Sequence, residues 1–170
     1  MRKSPLALLL SLICLISSHN EIQGQGYPPT DSLRQLAATC EGKDKHDLLM
    51  RIAMSTNDIA DWDATLNDAI DRCDTPAICR SRLNRIQCLF NFYSVDSAII
   101  EARESLPFIL NAKQYSFYFS TYNTFISGLF KQRRFDEARE EATTMFETAQ
   151  QVKQPVSYTH LRAHETELHL

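Results

Sequence analysis

Residues that break helices and make tight turns are few here: four glycines and six prolines in 170 residues. A strand-rich domain needs such residues at closely spaced turns, so their scarcity argues for helices. Histidine is also sparse. Of five, only His46 lies between residues 27 and 155, too few for a histidine-based zinc site or catalytic constellation in that stretch. There is no CxxC for redox catalysis, and no GxSxG, P-loop, HExxH or dinucleotide fingerprint. No phosphate-cradling glycine loop and no cofactor motif is present, and no basic block that would track a nucleic-acid backbone. After residue 26 no apolar run is long enough to span a membrane.

The N-terminus does carry a pattern. Arg2 and Lys3 precede an apolar run at residues 6–16, broken only by Ser11. At about 1.5 Å per helical residue, that run falls short of a ~30 Å hydrocarbon core. It predicts a signal peptide at 1–26 rather than an anchor, with cleavage after Gly26 or, alternatively, nearer Ser18. Cys14 lacks the small preceding residue a lipoprotein signal needs. The expected location is therefore exported: periplasmic or otherwise extracytoplasmic. At the other end, residues 156–166 (VSYTHLRAHET) resemble one translated frame of a widely used transposon sequencing adapter, and 167–170 a sample index. That resemblance implies that the native protein is seen only to about Pro155 and is truncated there. It also removes His160, His164 and His169 as metal ligands. The segment 27–155 is mildly acidic and long enough for one domain with a real core.

Within it the apolar residues recur at helical spacing. Asp31 or Thr30 predicts the cap of a helix running to about Glu41, which Gly42 ends. Leu48, Leu49, Ile52 and Ala53 form one stripe, and Trp62, Leu66, Ala69 and Ile70 another. Thr75 followed by Pro76 predicts a cap and first helical residue. The helix after it runs to about Phe92, with Ile78, Leu83, Ile86, Leu89 and Phe90 facing inward. Helices at 96–111, 114–131 and 136–153 follow, Pro107 being expected to kink the first or end it early.

The chain also repeats. Asp96, Ala98, Glu101 and Ala102 return forty residues on as Asp136, Ala138, Glu141 and Ala142, Val95 returns as Phe135, and Lys113 as Lys153. Asp58 and Ala60 give a fainter echo. Equal periods of helix pairs predict an all-α solenoid of antiparallel hairpins, clearest at about 78–113 and 114–154. Alanine fits where two helices cross closely, with the preceding apolar residue plugging the turn.

On Tyr122, Phe125, Leu129, Phe135 and Ala138, at the spacing of four large residues and one small, the chain resembles the tetratricopeptide repeat family. It departs from the family at Ile126 and Arg133, where glycine is usual, and at Ala142, where a larger aromatic is usual. The resemblance covers about half of 27–155. It implies a superhelix whose repeat-packing positions are Val95, Ala98, Tyr122, Phe125, Leu129, Phe135 and Ala138. It also implies a concave, peptide-holding groove lined by the first helix of each pair, here Ser120, Asn123, Ser127, Phe130 and Lys131. An exported, acidic array of this kind further resembles the periplasmic sensor region of bacterial two-component histidine kinases.

Other clusters read more plainly. Tyr115, Tyr118, Tyr122, Phe125 and Leu129 form a stripe expected in the inter-helix core. Asp58, Asp61, Asp63, Asp68, Asp71 and Asp74 lack the glycine and twelfth-position acid of a calcium loop and are expected on a solvated face. Cys40, Cys73, Cys79 and Cys88 allow three disulfide pairings. Cys73 with Cys79 is favoured if any forms, buried thiols being the alternative. The expectation is a non-enzymatic domain binding a protein or peptide, without cofactor or metal: the sensory part of a truncated signalling protein or, alternatively, an exported scaffold made of repeats alone.

Overall fold

The computed structural model describes residues 29–152. The expected leader, the adapter-like tail and Lys153 lie outside the described residues. Within them the chain is all-α, with seven α-helices, one π turn and no strand. It divides into two compact units between Thr56 and Asn57, each with its own apolar cluster.

The first unit holds α1 (Thr30–Thr39) and α2 (Gly42–Thr56). Pro29 precedes α1, and its carbonyl accepts from the Ser32 and Leu33 N–H groups, which the first helical turn leaves without intrahelical partners. Leu33 and Ala37 pack with Leu48 and Ile52, flanked by Leu36 and Leu49. Gly42 does not end α1. Extended backbone at Cys40 does that, and Gly42, at φ 62°, opens α2. The joint needs one left-handed residue, which costs least where there is no Cβ.

The second unit holds α3 (Ile59–Asp71), α4 (Thr75–Cys88) with a π turn at Leu89–Tyr93, α5 (Val95–Asn111), α6 (Tyr115–Lys131) and α7 (Phe135–Gln151). Each helix packs on its sequence neighbour, and α4 also meets α6. These contacts are compatible with stacked hairpins. Asp74, not Thr75, caps α4, its carboxylate accepting from the Ala77 N–H at 3.1 Å. Pro107 neither ends α5 nor shortens it. It lies exposed, where the carbonyl its ring leaves without a donor can be solvated. Ile70, expected inside, is 44% exposed, and Thr65 is buried on α3 instead.

The joints show the repeat in the backbone. Cys73, Lys113 and Arg133 adopt φ values of 53°, 56° and 59°. At each, the residue's own N–H bonds to the carbonyl three back and the next N–H to the carbonyl five back. This double closure satisfies carbonyls a helix end leaves open. Cys73 and Lys113 are forty residues apart. Arg133 occupies the left-handed position at which glycine would be least strained. The α4–α5 joint is built differently. There the Ser94 N–H reaches back to the Leu89 carbonyl, and the Ser94 hydroxyl caps α5 by accepting from the Ser97 N–H.

Candidate functional site

The expected packing residues are placed on the α5–α6–α7 framework. Ala98, Tyr122, Phe125, Leu129 and Ala138 are buried, and Val95 is partly buried against the same cluster. Phe135 departs from this: it is 48% exposed, its ring tilted 5.7 Å from that of Phe130. Of the aromatic stripe, Tyr118, Tyr122 and Phe125 form a chain of ring contacts at 5.3 and 5.9 Å, while Tyr115 is only half-buried. A close helix approach lies at Gly128, where an added Cβ would lie 2.8 Å from Ile99 Cγ1. The crossing of α5 and α6 thus turns on Gly128, a residue the family spacing does not single out.

The expected groove residues share the other side of α6. Asn123 and Lys131 are exposed, while Ser120, Ser127 and Phe130 are half-buried. Phe130 packs against the core cluster. Lys131 is less available than its charge suggests, because its Nζ lies 3.7 Å over the Phe90 ring, a cation–π contact linking α6 to the π turn.

The acidic run is not a simple solvated face. Asp58 caps α3 by accepting from the Ala60 N–H. Asp68 and Asp74 both bond Arg72 at 3.0 Å, and Asp63 bonds Arg85 at 2.6 Å. Asp61 is buried. Burial alone would lower the Arg72 pKa, but the two carboxylates outweigh it and hold the guanidinium above its ordinary value. Cys73 and Cys79 are not joined. Cys73 is exposed on its left-handed turn, whereas Cys79 points into the core, where burial pushes its thiol pKa up. Cys88 is buried too, its Sγ 3.3 Å from the Asn57 carbonyl.

A further polar feature was not expected. An open cleft of about 480 Å³ lies between α3, α4 and α5. Its walls carry Leu66, Leu89 and Ile100 as apolar surface and Arg82, Arg85, Glu101 and Glu104 as charges. The two arginines differ. Arg85 is neutralised by Asp63 and Glu101. Arg82 donates from Nη1 to Ser105 Oγ at 3.3 Å and stacks 5.0 Å over the Phe108 ring. Its Nε is enclosed without an acceptor, and no carboxylate among the described residues pairs with it. The forty-residue register explains the space. It sets Arg82, Arg85 and Ser105 against Tyr122, Phe125 and Met145. In the later hairpin those large side chains fill the interior, and Tyr122 donates to Glu141 at 2.7 Å. In the earlier one the matching Glu101 is taken by Arg85, and the volume is left open.

Among the described residues, no helix is long and apolar enough to cross a membrane. Comparison with protein-family models, curated proteins and solved structures gives no significant match.

Proposed function

We propose that the chain is an exported, non-enzymatic binding module, related in design to the tetratricopeptide repeats, that holds a protein or peptide segment on the outward face of α6. The observation that carries this reading is the division of α6 into two faces. Tyr118, Tyr122, Phe125 and Leu129 are consumed by the core. Ser120, Asn123 and Ser127 remain at least partly exposed, offering hydrogen-bond donors and acceptors at helical spacing beside Phe130. Such a surface suits the backbone of an extended peptide. A sensory role, in which ligand capture outside the cytoplasm is passed to an output module, would fit the leader expected at 1–26 from the sequence.

A display library of random peptides selected on the purified chain tests the reading. Enriched sequences should bind the wild-type chain and lose roughly tenfold or more in affinity against Asn123→Arg and Ser127→Arg. Failure to enrich any sequence, or enriched sequences indifferent to both substitutions, would overturn it.

A further inference from the structure

We propose that the cleft between α3, α4 and α5 is a second binding site, for a small carboxylate ligand whose acid group pairs with Arg82 and whose apolar part lies on Leu66, Leu89 and Ile100. None of its lining residues belongs to α6, and it does not depend on the α6 surface binding anything.

Three observations point the same way. The cleft's volume, about 480 Å³, is in the range that holds a small organic ligand. Its charges are unequal in availability. Arg85 is spent on Asp63 and Glu101, whereas Arg82 has only a neutral hydroxyl and an aromatic face. A partly desolvated guanidinium without a counter-ion is costly, and a planar carboxylate matches its fork of donors. Apolar and polar walls also face one opening. Ile100 lines the cleft and is 58% exposed, so its side chain is open to a ligand's apolar part.

The walls also select the ligand's charge. Glu101 is occupied by Arg85, but Glu104 lines the same cleft and would disfavour a multiply charged anion such as phosphate, sulfate or a dicarboxylate. It would accept a hydrogen bond from an amino or amide group beside a single carboxylate. The ligand class is therefore an apolar amino acid, free or as the C-terminal residue of a peptide. The register comparison supplies the reason the site exists. Restoring the residues of the later hairpin would fill it, so the polar residues at 82, 85 and 105 hold open a volume that packing would otherwise close.

Titration calorimetry on the full chain tests this with four probes: L-leucine, acetyl-Ala-Ala-Leu as the free acid, the same peptide as its carboxamide, and inorganic sulfate. At least one of the two carboxylate probes should bind saturably, and sulfate should not. The carboxamide should bind about tenfold or more weaker than the peptide acid whenever that acid binds. Tighter binding of leucine identifies a free amino acid as the source, and tighter binding of the peptide acid identifies a chain terminus. Arg82→Gln should remove about tenfold or more of the carboxylate affinity, with Arg82→Lys recovering part of it. Ile100→Trp, at an exposed position that the core does not use, should obstruct the cleft and weaken binding while leaving helical circular dichroism unchanged. If Arg82→Gln itself loses helicity, Ile100→Trp and the comparison among the four probes decide. Equal binding of peptide acid and amide, sulfate binding as tight as the carboxylates, no saturable carboxylate binding, or full affinity in a folded Arg82→Gln would overturn the proposal.

Discussion

Where α6 carries Tyr122 and Phe125, α4 carries Arg82 and Arg85, and where α7 carries Met145, α5 carries Ser105. Around these differences the hairpins share their small residue, Ala98 or Ala138, both buried. They also share a glutamate, Glu101 or Glu141, that accepts from the α4 or α6 side chain facing it. One frame has thus been filled with aromatic rings in one place and with paired charges in the other. The filled hairpin places large apolar side chains in its interior. The polar one exchanges that burial for a cleft with a guanidinium at its wall. Buried polar groups of this kind stabilise less than rings of similar volume, so the interior of the later hairpin contributes more to stability than that of the earlier one.

The largest expected effect separates the two directly. Phe125 is 1% exposed, and Phe125→Ala should cost about 3–5 kcal/mol. At the matching position, Arg85→Ala removes a partly exposed ion-pair network and should cost only about 1–2 kcal/mol. Urea denaturation of both variants measures the contrast, and equal losses would break it. Next in size, Ala138→Leu should overpack the later hairpin at a fully buried position and cost about 1–3 kcal/mol. A change within the error of the denaturation midpoint would argue against the register.

Tyr122 gives the comparison a pH signature. Burial and its hydrogen bond to Glu141 raise its pKa well above tyrosine's ordinary value. The folded state therefore keeps the proton after the unfolded chain has lost it. This stability is fully present below about pH 10, the unfolded value, and is lost as pH rises beyond it. Tyr122→Phe should flatten the alkaline limb of the stability profile, while Arg85→Ala should leave its slope unchanged. The smallest effect concerns the joints. Lys113 sits at φ 56°, so Lys113→Gly should relieve backbone strain and stabilise by up to about 1 kcal/mol, read as a rise in Tm.

Much of the frame was legible in the sequence because it rests on local periodicity. The helices from Val95 onward fall where the apolar spacing and the recurring Asp-x-Ala put them, and Ala98 and Ala138 are buried. Caps were less legible, because Asp74 and Thr75 are adjacent and both are good caps, so only geometry separates them. Gly42 misled because a glycine can close one helix or open the next. Phe135 followed its repeat position in the chain but not in burial, its ring lying half-exposed against Phe130. The cleft was hidden for a different reason. Nothing in the helical spacing singles out Arg82 and Arg85, which become a cleft wall only when α3 and α5 are placed beside them. The one available signal was the forty-residue register carried one helix further back, which sets two arginines against two aromatic rings.

The most direct test of this account is the thermal stability of the triple variant Arg82→Tyr, Arg85→Phe and Ser105→Met, which transplants the interior of the later hairpin into the earlier one. If the two hairpins are the same frame differently filled, the Tm should rise by several degrees and binding of carboxylate probes should disappear. A variant that melts lower than the wild-type chain would contradict the shared register and, with it, the reading of the cleft as a volume held open by polar residues.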